Sequence, residues 1–129
     1  WGASLGWLVF YSTLTYGVCS RGVELLLDLC NVSRQIQRDF SVQGTSFHCG
    51  DMLHDSLADA KVLVLASQCW DADVRAAVRR KLQSEMPSGH LVIDYQASLD
   101  SCPEFALIDT VEGAVSWNDR QVFYIYRRS

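Results

Sequence analysis

A glycine-bearing turn near the start of the chain, followed about twenty residues later by an acidic residue, constrains the fold more than any other feature. Gly2 and Gly6 belong to the turn, an apolar run with helical spacing follows it, and Glu24 closes the β-prone run 18–23. In nucleotide-binding βαβ units, this spacing places the turn and a carboxylate around one ligand, with the carboxylate on the ribose. The sequence therefore predicts an α/β fold that holds a nucleotide-like cofactor.

The first strand of such a unit has no counterpart in this sequence. It should run directly into the glycine turn, but the chain begins at Trp1. A parallel sheet without its central first strand would expose unpaired edges on both neighbours, which soluble proteins avoid. We therefore expect an N-terminally incomplete domain in which another segment or a partner chain fills the gap between the strands that end at Glu24 and Ala66.

Helical and β-prone segments alternate along the rest of the chain. Helices are predicted at 7–16 with a stop at Gly17, at 25–40, and after a cap at Asp71 or Asp73; strands are predicted at 18–23, 45–49, 61–66 and 90–94. The last third instead has short β-prone runs at 105–111, 114–117 and 122–126, with a turn signal at Asn118-Asp119, which favours an antiparallel hairpin. The prediction is one domain over 1–129 with a mostly parallel sheet that ends in an antiparallel hairpin.

Composition excludes several kinds of surface and site. The chain has 129 residues, half of them apolar, and a net charge of −4, which gives no field that would gather nucleic acid. The apolar stretch Leu5 to Leu14 is too short to cross a bilayer. The basic cluster 79–81 lies where a helix should end, so it is expected to match the helix dipole.

The cysteines and histidines suggest neither a disulfide framework nor a metal site. There are five cysteines, an odd number, and no pair has CxxC spacing. The three histidines lack the spacing of metal ligands. We therefore expect no metal and a reducing, intracellular compartment, with nucleus, cytosol and mitochondrion not distinguished.

The order of these motifs resembles that of the class I S-adenosylmethionine-dependent methyltransferases over nearly the whole chain. The motifs are Gly22-Val23-Glu24, Gly50-Asp51, the run 64–70, and Val115-Ser116-Trp117 with its hairpin. Within that class they look most like the histone-lysine methyltransferases named for disruption of telomeric silencing. The resemblance implies a seven-stranded Rossmann-like sheet whose last strand is inserted antiparallel.

The resemblance also implies a binding site for S-adenosylmethionine. Gly2, Ser4 and Gly6 fall where the family has its GxGxG loop, Glu24 where it has the carboxylate that accepts bonds from the ribose hydroxyls, and Asp51 where an acidic residue contacts the adenine amino group. Two alternatives stay open from the residues themselves: Glu24 caps the next helix, and Asp51 belongs to a turn.

The segment Ser67-Gln68-Cys69-Trp70 matches the position of the family's catalytic segment, which holds the amine to be methylated. Ser67 and Trp70 are therefore the candidate catalytic residues. The reaction is an in-line displacement, so the protein aligns and desolvates the amine and needs no nucleophile of its own. The alternative is that Cys69 and Trp70 are core residues under the next helix.

Three functions remain open. The first is an active methyltransferase with a protein amine as acceptor. The second is a methyltransferase-like subunit of a larger assembly that has lost turnover, either with or without loss of its cofactor, as the departures at Ser4, Trp7 and Ser67 suggest. The third is a nicotinamide-dependent oxidoreductase, which the terminal hairpin disfavours.

Overall fold

The computed structural model describes all residues from 1 to 129 as two compact units, Trp1–Asp55 and Ser56–Ser129. The first unit consists of α1 (Trp7–Tyr16), β1 (Ser20–Glu24), α2 (Leu27–Asp39), β2 (Thr45–Cys49) and the 3-10 turn Met52–His54. The second consists of β3 (Val62–Leu65), the 3-10 turn Ser67–Cys69, α3 (Ala72–Glu85), β4 (Leu91–Asp94), β5 (Phe105–Val115) and β6 (Asn118–Arg128). The predicted alternation of strands and helices is confirmed.

In the first unit, α1 and α2 pack on a two-stranded parallel sheet. The register pairs Gly22 with Phe47 and Glu24 with Cys49, so both strands end at the same edge. Val9, Phe10, Cys30 and Phe47 form the buried core of the unit. Helix α1 has the predicted bounds and ends at Gly17, whose φ of 67° is the left-handed conformation that favours glycine at a helix end.

The second unit has a four-stranded mixed sheet in the order β3-β4-β6-β5. Strands β3 and β4 are parallel, and β6 runs antiparallel to both β4 and β5. The predicted antiparallel ending is thus confirmed. Leu65, Leu82, Val92 and Tyr126 are fully buried in its core. Burial, and then the hydrogen bond that its hydroxyl donates to Asp100, raise the pKa of Tyr126.

The hairpin turns two residues earlier than the sequence predicts. Val115 pairs with Asn118, so Ser116 and Trp117 form the turn, and the predicted turn pair Asn118-Asp119 opens β6. The Asn118 side chain stays inside the strand end, where it accepts a hydrogen bond from the Arg120 N–H at 3.0 Å. This is the local side-chain bond that asparagine makes in turns, here formed at the first residue of β6.

Strands β1 and β3 each pair on one side only. β1 pairs with β2 alone, and β3 pairs with β4 alone. A missing first strand would leave these two edges open, although β2 and β5 are edge strands as well. The segment or partner that would complete them stays a prediction.

The expectation that no disulfide is present was wrong. Cys30 and Cys49 form a disulfide with Cα atoms 5.6 Å apart, whereas Cys19, Cys69 and Cys102 are free thiols. The pairing results from the packing of α2 against the end of β2, which brings together residues 19 positions apart. No local spacing motif reports such a contact. The thiol pattern therefore no longer supports a reducing compartment.

None of the helices is both long enough and apolar enough to span a bilayer.

Candidate functional site

Glu24 joins the end of β1 to the glycine turn. The Ser4 N–H donates to Glu24 Oε2 at 2.8 Å, and the Leu26 N–H donates to Oε1 at 2.9 Å. The structure thus brings together the turn and the carboxylate, which are separated by 20 residues. Each carboxylate oxygen can accept a further hydrogen bond, so Glu24 retains one acceptor position on each oxygen for a ligand.

The glycine turn (residues 2–6) is fixed on the end of β1 by its backbone. The N–H groups of Gly2 and Ala3 both donate to Val23 O at 3.0 Å, and the Gly6 N–H donates to Ala3 O at 2.8 Å. Gly2, Ser4 and Gly6 have φ angles of 70°, 50° and 83°. All three predicted loop positions therefore have the left-handed conformation, which serine adopts at a cost and glycine does not.

Tight packing requires glycine at two positions beside the turn. A Cβ atom on Gly6 would lie 2.5 Å from Phe47 Cε1, and a Cβ atom on Gly22 would lie 2.8 Å from Ala3 Cβ. Both of these neighbouring atoms belong to side chains of the protein itself. The glycines are therefore explained by the packing of α1 and β1, independently of any ligand.

Ser4 is the one turn residue that departs from glycine, and Ser4→Gly is expected to stabilise the protein by about 0.5–1 kcal/mol. Its side chain is exposed and its φ is 50°, so the substitution relieves backbone strain without removing a buried group. Ser41 has a φ of 51° in the loop after α2 and provides a matched control. Thermal melting should show both variants stabilised. If neither variant changes the melting temperature, the serine backbone at these two positions is not strained.

Asp51 lies at the same edge as Glu24. Its Oδ1 accepts the Leu53 N–H at 2.8 Å and caps the short helical turn after β2. The Gly50 N–H donates to Glu24 O at 2.9 Å, which ties this segment to the end of β1. Asp51 therefore belongs to a turn, as the alternative interpretation has it. Its Oδ2, 3.7 Å from the His54 ring, is on a side chain that is 42% exposed and remains able to accept a bond.

Exposed leucines adjoin Glu24. Leu25, Leu26 and Leu27 follow Glu24 directly and are 70%, 59% and 61% exposed. Apolar surface beside a few oriented polar groups is the usual composition of a small-molecule site. These residues were not predicted from motif spacing, although three leucines directly after the acidic residue are a visible signal in the sequence.

A shallow cavity of about 320 Å³ lies at the other edge of the first unit. Arg38, Val42 and Thr45 contribute to its lining. Thr45 begins β2, whereas Glu24 and Cys49 end their strands, so this cavity is at the amino edge of the sheet. It is therefore separate from the candidate cofactor site.

In the second unit, the structure places Ser67 in a buried polar cluster. Ser67 is 1% exposed and its hydroxyl donates to Asp94 Oδ1, while the Ser98 hydroxyl donates to Asp94 Oδ2. The Gln96 N–H also donates to Oδ1, at 3.3 Å. Ser67 follows β3 and Asp94 ends β4, so the parallel pairing of these strands brings them side by side. The only side-chain proton of Ser67 is directed at Asp94, so its hydroxyl ties the turn after β3 to the end of β4.

Trp70 ends the same turn and is only partly buried. Its N–H donates to Ser67 O at 3.1 Å, and the Arg75 guanidinium donates to Trp70 O. The turn is thereby held at both ends, from inside by Asp94 and from α3 by Arg75. Asp94 was not predicted as a site residue, although its position at the end of the apolar run 91–93 is a signal in the sequence.

Comparison with known proteins identifies the fold. No protein-family model matches the sequence, and no curated protein matches it. The RNA methyltransferase from Salinibacter ruber, solved with S-adenosyl-L-homocysteine, is 19% identical, with a TM-score of 0.75 over 98% of this chain and 76% of that chain. MtNAS, solved with MTA and tNA, is 18% identical, with a TM-score of 0.74 over 99% of this chain and 51% of that chain.

The B. subtilis tRNA methyltransferase TrmK is 14% identical, with a TM-score of 0.75 over 99% of this chain and 58% of that chain. The chain therefore spans only about half the length of MtNAS and of TrmK. Identities of this size establish the fold alone. The chain has the Rossmann-like α/β fold of the class I S-adenosylmethionine-dependent methyltransferase structures.

Proposed function

We propose that the first unit binds S-adenosylmethionine and that the chain is part of a methyltransferase. The observation that carries this proposal is the pair of bonds on Glu24, one from the glycine turn at Ser4 and one from Leu26. They orient a carboxylate at the carboxyl edge of a parallel sheet, where ligands bind in open α/β folds. Complexes of similar structures with S-adenosyl-L-homocysteine and MTA support this choice of ligand.

The donors and acceptors present fit an adenosine group. Glu24 has one free acceptor position on each oxygen for the two ribose hydroxyls, and Asp51 Oδ2 can accept from an adenine amino group. Leu26 and its neighbours offer apolar surface for the ring. When bound, the cofactor would supply an electrophilic methyl group, and the residues of this unit would hold and orient it.

For the methyl acceptor, we propose a protein amine, in line with the resemblance to histone-lysine methyltransferases. The net charge of −4 supports a polypeptide over a polyanion, because electrostatic attraction supplies most non-specific affinity for nucleic acids. The competing possibility is an RNA acceptor, because two of the similar structures are an RNA methyltransferase and a tRNA methyltransferase. An assay with labelled cofactor on basic peptides and on tRNA separates the two.

One observation favours an architectural subunit without turnover as the second candidate. Ser67, expected beside the acceptor amine, is buried and bonded to Asp94. A protein of this kind would bind cofactor or partners and transfer no methyl group. Binding measured together with single-turnover transfer distinguishes it from an enzyme.

Calorimetry with S-adenosyl-L-homocysteine tests the proposed site. Glu24→Gln is expected to weaken binding by about 10- to 100-fold, because hydrogen bonds to a charged acceptor contribute about 1.5–3 kcal/mol. The variant keeps the shape of the side chain and an oxygen acceptor. Asp28→Asn removes the same charge from an exposed position in the first turn of α2 and should leave the affinity unchanged.

If the wild-type protein and Glu24→Gln bind S-adenosyl-L-homocysteine with equal affinity, Glu24 is not part of the site. The absence of heat at millimolar ligand in the wild-type protein would refute the cofactor proposal and leave the architectural subunit.

A further inference from the structure

The Cys30–Cys49 disulfide joins α2, which begins three residues after Glu24, to the last residue of β2, two residues before Asp51. Cys30 lies in the first turns of α2, where its N–H donates to Leu26 O at 3.1 Å, two residues after Glu24. Cys49 is the last residue of β2 and is followed directly by Gly50 and Asp51. The bond therefore fixes the segment after Glu24 to the segment before Asp51.

Noncovalent contacts also hold the Asp51 segment at this edge. The pairing of β1 with β2 places Cys49 beside Glu24, and the Gly50 N–H donates to Glu24 O at 2.9 Å. After Asp51, the buried Asp55 carboxylate lies 3.0 Å from the Arg21 guanidinium of β1 and 2.9 Å from His48 Nδ1 of β2. The disulfide is the covalent link between the start of α2 and the end of β2, and its loss would leave the order of this edge to these noncovalent contacts.

The bond is accessible from one side only. Cys30 is 1% exposed and belongs to the buried core, whereas Cys49 is partly exposed. A small dithiol can therefore reach the bond at Cys49. Cys19 is free and exposed directly before β1, at the amino edge of the strand, and is not positioned to replace either partner.

We propose that Cys30 and Cys49 form a redox lock on cofactor binding: the disulfide holds Glu24 and Asp51 together, and its reduction by a dithiol lowers affinity for the adenosine group. This inference rests on the proposed function for its ligand. It adds a control of binding by thiol chemistry that the fold itself does not require.

The chemistry is a two-electron thiol–disulfide exchange. A thiolate of the reductant attacks the Cys49 sulfur, the S–S bond breaks, and Cys30 leaves as a thiolate that takes up a proton. The second thiol of the reductant then attacks the mixed disulfide and releases the Cys49 thiol. The dithiol leaves as a disulfide, and the protein holds two thiols.

Titration with dithiothreitol, followed by calorimetry with S-adenosyl-L-homocysteine, tests the lock on the intact chain. Reduction is expected to weaken binding about tenfold, a typical coupling between two sites. Linkage is reciprocal, so a ligand that binds the oxidised protein more tightly also stabilises its disulfide. At saturating ligand, the ratio of reduced to oxidised dithiothreitol needed to reduce half of the protein should therefore rise by the same factor. Reduction should also lower the melting temperature by about 10 °C, since a loop of this size is no longer closed in the unfolded chain.

Two variants serve as references. Cys30→Ser with Cys49→Ser mimics the reduced state and should bind weakly with or without reductant. Cys19→Ser removes an exposed thiol and should keep the full response to reductant. The wild-type titration stands without either variant if the double substitution fails to fold.

The outcomes separate this inference from the proposed function. Equal affinity of the oxidised and reduced proteins would overturn the lock and leave the cofactor site intact. Absence of binding in both forms would overturn the cofactor site. Hydrogen exchange at the amides of residues 50–53 tests, independently of a ligand, the ordering that the lock requires: unchanged exchange after reduction refutes it.

Discussion

Replacement of Gly6 by alanine is expected to destabilise the protein by about 3 kcal/mol, because backbone strain and overpacking add at one position. The φ of Gly6 is 83°, and a Cβ atom there would lie 2.5 Å from Phe47 Cε1 and 3.2 Å from Phe10 Cε2. The Phe47 ring has little room to retreat, since it packs against Phe10 with centroids 5.1 Å apart. Relief would have to move α1 away from the sheet, and the glycine turn with it.

Gly17 provides a matched control for the strain alone. It has a φ of 67° at the other end of α1, and a Cβ atom there would meet nothing within 4 Å. Gly17→Ala should therefore cost only about 1 kcal/mol, the share that belongs to the backbone. Urea denaturation of both variants gives their losses in free energy of unfolding. The difference is expected to be about 2 kcal/mol, the part caused by the steric clash with Phe47. Equal losses would mean that the aromatic pair yields and that the turn tolerates a side chain at position 6.

Local signals predicted much of the first unit. Gly17 ends α1 where the left-handed cap requires a residue without Cβ, and Gly44 precedes β2 with a φ of 77°. The proximity of Glu24 to the turn also follows from the sequence, because a βαβ path returns the second strand beside the first turn. Its bond to the Ser4 N–H is a consequence of that path.

The remaining features depend on contacts that no local pattern contains. The disulfide requires the packing of α2 on β2, and the two cysteines are 19 residues apart. The environment of Ser67 requires Asp94 and Ser98, which arrive from the next strand and the loop after it. Motif position placed Ser67 at a substrate, and the buried carboxylate turned its hydroxyl inward. Such polar partners are visible only once the strands are paired.

The cluster around Asp94 should therefore contribute to the stability of the second unit. Asp94 is 0% exposed and accepts from the Ser67 hydroxyl, the Ser98 hydroxyl and the Gln96 N–H. Asp94→Ala would leave these donors without their acceptor in a buried site and would open a cavity. Each such buried group costs about 1–3 kcal/mol, although hydroxyls can turn to other partners. The expected loss is about 3–4 kcal/mol in the free energy of unfolding.

Two further variants decide whether the carboxylate itself is responsible. Asp94→Asn keeps the size and one oxygen acceptor, and a serine hydroxyl can reverse to accept from the new amide, so its cost should be nearer 1 kcal/mol. Asp109→Ala removes an exposed aspartate from β5 and should change stability by less than about 0.5 kcal/mol. Denaturant unfolding should show the largest loss of stability for Asp94→Ala, a smaller loss for Asp94→Asn and the smallest for Asp109→Ala. If both substitutions at 94 cost equally little, the serines have other acceptors, and the burial of Ser67 must be explained by packing alone.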